Sequence, residues 1–395
     1  MSWPTTALGN VVDVAAGQAA PPAASFSQAG TPFIRAGSVE GLVASANWED
    51  LEHLTEDSAK KRRMKLFPPE TVLFAKSGLS AALGRVFKID RPAYVVSHLA
   101  ALKPTGKADP AFLTHWLRHY GTQRLIKDPA YPSIRLADVQ EMPFPDIPRL
   151  EQQRIAGILD QADALRRLRR RSLSRFSDLG QAIFYEMFGN VRTNDRNWFD
   201  GATLLECAEV VSGITKGRKL NGQATREIPY MTVATVQDGY LKLDSVKSIE
   251  ATDREIERYR LLRDDILLTE GGDPDKLGRG AMWSGELPEC IHQNHVFRVR
   301  VHDDRITPTF ATWLIGSSRG KAYFLRAAKQ TTGIASINST QLKQFPLLLP
   351  PIALQTEFSR RLKELEYKKR AMESAFDESE LLFASLQHRA FRGEL

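Results

Sequence analysis

The sequence predicts an α+β fold made twice. Two tandem domains of mixed strands and helices are separated by two long helices that pair as an antiparallel coiled coil, giving an internal pseudo-two-fold repeat. Three observations predict this. Short motifs of the first half return in the same order in the second, displaced by roughly 200 residues. Each half opens with β-like runs punctuated by Gly, Asp and Pro. Each half closes with a long stretch of helical periodicity entered through prolines.

The repeat is carried by named segments. Thr31-Pro32-Phe33-Ile34-Arg35-Ala36 returns as Ile228-Pro229-Tyr230-Met231-Thr232-Val233, and Val72 to Gly78 as Ile266 to Gly272. Leu83-Gly84-Arg85 matches Leu277-Gly278-Arg279, and Ser97-His98-Leu99 matches Asn294-His295-Val296. Ser133-Ile134 pairs with Ser336-Ile337, and Leu150-Glu151-Gln152 with Ala353-Leu354-Gln355. A duplicated scaffold with diverged loops presents two different surfaces.

Strands are expected at Val72–Ala75, 86–87, 94–96, 266–268 and Val296–Val301. Apolar spacing near 3.6 predicts a helix over Pro110–Tyr120, with a counterpart over 308–325. From Arg149 to Phe188 the residues Leu150, Ile155, Leu159, Ala162, Leu165 and Leu168 continue through Phe176, Leu179 and Ile183 in steps of three and four. The second long helix runs over 354–391, with Phe358, Leu362, Leu365, Phe376, Phe383 and Leu386 on its stripe. About forty residues make a rod of about 60 Å. Two such stripes in one chain can bury each other. The expected domains are therefore 1–148, the helix 149–192, the second domain 193–350 and the helix 351–395.

Composition bounds the function. The 395 residues carry 42% hydrophobic and 26% charged side chains, as globular proteins do. A formal charge of +7 is compatible with a polyanionic partner. Cys207 and Cys290 form no C-x-x-C pair, which excludes a zinc knuckle or a disulfide framework. The start of the chain has no charged leader before an apolar run, and no span of 18 apolar residues occurs, so a cytoplasmic protein is expected. No G-x-x-x-x-G-K-[ST] loop is present, and Asp128-Pro129-Ala130-Tyr131 only approaches a Pro-Pro-aromatic motif. Motor and methyltransferase chemistry are therefore not expected, and neither is a cofactor. Asp273 and Asp275 have no paired carboxylates in the first half, so they are expected to serve a loop and not a metal. His98 and His295 occupy matching positions and are expected to make structural hydrogen bonds.

With these features in place, the chain resembles the specificity subunit of a type I restriction–modification system over essentially its whole length. Leu150-Glu151-Gln152-Gln153-Arg154-Ile155-Ala156-Gly157-Ile158-Leu159 resembles the central helical region of that family, and Leu386 to Leu395 its distal one. The segments 270–279 and 333–338 resemble loops of a target recognition domain. The resemblance implies a non-catalytic DNA reader with two target recognition domains. It also implies partners: double-stranded DNA, two modification subunits carrying the methyltransferase, and restriction subunits. Two alternatives stand beside it: a self-contained endonuclease or methyltransferase, and a coiled-coil scaffold that binds protein only.

Reading DNA requires donors and acceptors on exposed loops, with cations for phosphate. The first domain offers Arg35, Lys76, Ser77, Arg85, Tyr131, Ser133 and Arg135. The second offers Lys216, Arg218, Lys219, Asp273, Lys276, Arg279, Thr331, Thr332 and Asn338. The run Arg166 to Arg171 is expected on the solvated or partner-facing side of the coiled coil.

Overall fold

In a computed structural model the described residues are 3–44, 46–220, 222–272, 277–331 and 334–395. The chain divides into two compact units, Met1–Arg171 with Met372–Leu395, and Ser172–Ala371. Each unit takes one mixed region together with one segment of each long helical stretch.

The first unit is built on a four-stranded sheet ordered Val12–Ala16, Leu99–Pro104, Val72–Ala75, Val86–Lys88. Every residue of Val72–Ala75 is buried, because the strand is covered on both faces. A second sheet is ordered Glu52–Leu54, Thr31–Ile34, Ala93–Val95, Leu66–Phe67, with Thr31–Ile34 and Ala93–Val95 parallel. A third, two-stranded sheet pairs Thr5–Ala7 with Pro143–Pro145. Pro110–Tyr120 is helical as the periodicity requires, with Asp109 accepting from the backbone N–H groups of Ala111 and Phe112 at its N-terminus.

The second unit repeats the plan. Its four-stranded sheet runs Ala208–Ser212, Val296–Val301, Ile266–Thr269, Gly280–Met282. Lys247–Ala251, Arg226–Met231 and Ile291–His292 form the second sheet, again with one parallel pair. Phe199–Thr203 pairs with Pro346–Leu349. A three-stranded sheet of Gly271–Gly272, Ile334–Ser336 and Lys329–Thr331 has no counterpart among the described elements of the first unit.

Two helices differ from expectation. The stretch 308–325 is two helices, Pro308–Gly316 and Ser318–Ala327. Ser317 is extended and caps the second through Arg319 N. The turn is so tight that a Cβ on Gly320 would sit 1.7 Å from Ile315 O. The stretch 149–188 is likewise Arg149–Ser174 and Phe176–Phe188, where Arg175 N bonds Ser172 O in a tightened turn. The last helix is continuous over Ile352–Arg392.

Within the first unit the two helix segments run antiparallel. Arg154 donates to Leu395 O at 2.9 Å, Arg166 pairs with Glu380 at 3.1 Å, and Arg169 donates to Ala375 O. Arg166 also lies over the Phe383 ring at 4.1 Å, and Arg170 over Phe376 at 5.3 Å. Arg167, Arg170 and Arg171 are exposed as expected, and Arg166, Arg169 and Arg170 also clamp the neighbouring helix segment, their charge met by Glu380, a carbonyl and ring faces. Phe391 packs against Phe112, Trp116 and His119. In the second unit Phe184 and Phe188 pack against Phe310 and Phe358 in the same way.

One buried side chain ties helix to domain in each unit. Gln152 accepts from Asp109 N at 2.8 Å and donates to Lys107 O and Ile147 O at 3.0 Å. Gln355 accepts from Thr307 N at 2.8 Å and donates to Arg305 O at 2.9 Å and Pro350 O at 2.8 Å. Both fix the residue that caps the domain helix, Asp109 or Thr307.

Candidate nucleic-acid interface

In each unit three chain segments meet at one end of the main sheet and hold a β-turn there. In the first, Leu99 N bonds Val96 O at 3.0 Å, closing a turn with His98 at its third position. Lys76 N donates to His98 O at 2.9 Å, Ile134 N to Lys76 O at 2.7 Å, and Ser97 N to Gln18 O at 2.7 Å. In the second, Val296 N bonds Gln293 O at 2.9 Å, placing His295 at the third position. Glu270 N donates to His295 O at 3.0 Å, Ile337 N to Glu270 O at 2.8 Å, and Asn294 N to Ile214 O at 2.9 Å.

A glycine makes the approach possible in both. A Cβ on Gly17 would fall 2.1 Å from Val95 O, and one on Gly213 1.9 Å from His292 O. Both histidines are exposed. His98 Nδ1 lies 2.7 Å from Ser77 Oγ, and His295 Nδ1 lies 2.6 Å from Glu270 Oε2. The expected hydrogen bonds are present, on rings that face solvent.

This junction gathers several of the candidate residues. Ser77 and Ser133 form a backbone bridge, Lys76 adjoins them, and Gly78 N donates to Pro132 O at 3.0 Å. Tyr131, beside that proline, is 80% exposed. The other three candidates of this unit are ion-paired. Arg35 pairs with Glu52 at 2.5 Å, Arg85 with Glu40 at 3.6 Å, and Arg135 with Asp138 at 2.7 Å.

In the second unit Lys216 and Lys219 are exposed in the loop after Gly213. Arg218 between them turns inward: it bonds Glu255 through two nitrogens at 2.5 and 2.6 Å and Glu250 O at 2.9 Å. Those bonds hold the Glu255 carboxyl down at about 2. Arg279 is half-buried and donates to Gln237 and to Val233 O at 3.3 Å. Asn338 caps Ser339–Lys343 in a reciprocal pair with Gln341. Arg218 and Arg279 are thus tied to the scaffold, and Asn338 is exposed beside its capping bond. Thr331 lies in the added hairpin, opposite Ile334. Asp273, Lys276 and Thr332 lie outside the described residues, as does Asp275.

Sequence reasoning passed over Glu270, Asn294, Gly17 and Gly213. The signal for the first two was their match to Lys76 and Ser97 in the repeat. Among the described residues no group of three or more His, Cys, Asp or Glu could hold a metal ion, and no helix is long and apolar enough to cross a membrane. Both cysteines are buried and unbridged, with burial pushing the Cys290 thiol up to about 12.

His292 makes the second turn sensitive to acid. It is buried and its Nδ1 lies 2.7 Å from Val296 O. Burial pushes its value from 6.5 down to about 4, with the hydrogen bond a smaller opposing influence. The neutral ring supports the fold fully above pH 6.5, and that support is lost as pH falls through the folded value. Unfolding of the second unit should therefore cost about 2 kcal/mol less at pH 5 than at pH 8 through this group. Val95 holds the matching place in the first unit. In His292→Val this part of the pH dependence should vanish from urea titrations of the full chain; an unchanged slope would contradict the assignment.

The fold therefore defines a duplicated protein that displays two different polar surfaces on one turn-bearing scaffold. The comparisons with known proteins agree on what such a scaffold is. Residues 2–174 match the family described as type I restriction modification DNA specificity domain. The StySPI specificity subunit of Salmonella potsdam is 25% identical over 393 residues, covering 92% of this chain and 82% of that protein. The EcoKI specificity subunit of Escherichia coli is 23% identical, with the same coverage. The solved S subunit of the type I restriction–modification system from M. genitalium shares the fold with a TM-score of 0.57 at 14% identity, over 98% of this chain and 96% of that one. Along nearly its whole length the chain is thus similar to type I restriction–modification specificity subunits, and residues 2–174 carry the family's domain match.

Proposed function

We propose that this chain reads a bipartite DNA target, one half-site per mixed domain (1–148 and 193–350), and brings two modification subunits and the restriction subunits to it. The observation that carries the reading is the doubled scaffold with different side chains at its exposed turn: Lys76, Ser77 and Ser97 in one copy, Glu270, Gly271 and Asn294 in the other. One fold with two sets of donors and acceptors suits two different short sequences. In the first domain the readers are drawn from Lys76, Ser77, Tyr131 and Ser133. In the second they are drawn from Lys216, Lys219 and Thr331, with Asp273, Lys276 and Thr332. The ion-paired Arg35, Arg85 and Arg135 are the next candidates for phosphate.

Partner docking is supported by apolar side chains left exposed on the helices. Leu150 is 81% exposed, Leu381 73% and Tyr367 75%. We propose Arg149–Ser174 and Ile352–Arg392 as the seats of the modification subunits. We propose a cytoplasmic location, where DNA is within reach.

Co-expression with the modification subunits, followed by mapping of methylated bases, tests the reading. The expected product is a split motif, two short half-sites around an unspecified spacer. A continuous motif, or methylation by this chain alone, would contradict it.

A further inference from the structure

Building on that DNA-reading assignment, we propose that His98 and His295 are matched phosphate anchors, one in each reader, and that they contribute affinity without sequence preference. The two exposed turns are the same object in backbone terms. Each presents its histidine at the third turn position, each histidine carbonyl accepts from the strand end at Lys76 or Glu270, and each turn is seated over a glycine, Gly17 or Gly213, that admits no side chain.

The side chains around the histidines are not the same. Lys76 becomes Glu270, Ser77 becomes Gly271, and Ser97 becomes Asn294. Charge is reversed at the first of these positions and a hydroxyl is lost at the second. Residues that read bases must differ between readers of different half-sites. A residue touching the sugar–phosphate backbone has the same task in both. The histidine is the exposed polar side chain of the turn that both copies retain.

Its setting suits that task. Each ring is held at Nδ1 by a neighbouring side chain, at 2.7 Å by Ser77 Oγ and at 2.6 Å by Glu270 Oε2. A ring held at Nδ1 leaves Nε2 for a second partner. In His98 the Ser77 hydroxyl can donate to Nδ1, which leaves the proton on Nε2 for a phosphate oxygen. In His295 the Glu270 carboxylate accepts from Nδ1, so an Nε2 donor requires the imidazolium, for which the carboxylate is the natural counter-charge. Asn294 Nδ2 lies 3.3 Å from His295 Nε2, so a phosphate oxygen would take the place of that amide contact at the ring.

The test uses the full-length chain assembled with its modification subunits, on duplexes with and without the mapped target. His98→Ala and His295→Ala should each weaken binding about tenfold, on target and non-target DNA alike, leaving the ratio between them unchanged. His98→Gln and His295→Gln keep a donor of similar reach and should recover most of that loss. A scan of single methylphosphonate linkages should find one linkage per half-site whose effect disappears in the matching alanine variant, and melting temperatures should not move. An alanine variant with altered base preference in its half-site would overturn the proposal, as would an unchanged methylphosphonate profile or unchanged affinity. A wild-type assembly that fails to bind DNA would instead remove the DNA-reading assignment itself.

Discussion

Replacing Gln355 by alanine should destabilise the second unit by about 3 kcal/mol or more, counting three buried hydrogen bonds at about 1 kcal/mol each and the cavity left behind. The amide is fully buried, and it is the shared partner of Thr307 N, Arg305 O and Pro350 O. Truncation leaves one donor and two acceptors without partners and without water. Gln355→Glu has the same shape but sets a carboxylate against two carbonyl oxygens, so it should rescue nothing. Hydrogen exchange followed by mass spectrometry will place the loss: amides of Pro308–Gly316 and the start of Ile352–Arg392 should lose protection first. Gln152→Ala should do the same to the first unit, through Asp109. A change under about 1 kcal/mol in either variant would mean that these glutamines do not join helix to domain.

The second large effect is expected at Asp163. Its side chain is 3% exposed and meets Arg166 at 2.6 Å, Arg167 at 3.0 Å and Arg118 at 3.7 Å. Arg118 is largely buried, donates to Val86 O at 3.1 Å, and has its value pushed down by burial against the pull of Asp163. Asp163→Ala strands that guanidinium and frees Arg166 from one side of its clamp, which should cost about 3 to 5 kcal/mol. Removing the stranded charge as well, in Asp163→Leu with Arg118→Met, should return much of the loss, because paired removal of buried charges is far cheaper than breaking a pair. Urea titration of the three proteins decides: a double variant no more stable than Asp163→Ala would show that the cost lies in packing and not in the uncompensated charge.

What was legible in the sequence follows from where the information lies. Val72–Ala75 and Ile266–Thr269 could be read because strands covered on both faces are continuous apolar runs. Pro110–Tyr120 could be read because Asp109, Pro110 and the stripe agree. The breaks at Arg175 and Ser317 could not, since apolar spacing passes through both without a proline. The exposed side of the arginine run was legible, but the partners of Arg166 and Arg170 were not, because Glu380, Phe376 and Phe383 are remote in sequence and become neighbours only through folding. The same cause hides the partners of Arg218 and Arg279, since Glu255 and Gln237 are remote from them in sequence, while Asn338 stays exposed with its Oδ1 held by Gln341 N. His98 and His295 were visible as a matched pair. Their exposure was not, because strand-edge periodicity does not say which turn residue faces outward.

The central claim is that each copy of the scaffold reads its own half-site. It is tested most directly by exchanging residues 193–350 for the matching domain of a specificity subunit with a different target, then mapping methylation by the hybrid assembly. Independent readers predict that one half-site changes to that of the donor while the other stays as it was. A hybrid that folds and methylates with both half-sites altered, or with neither, would contradict the account.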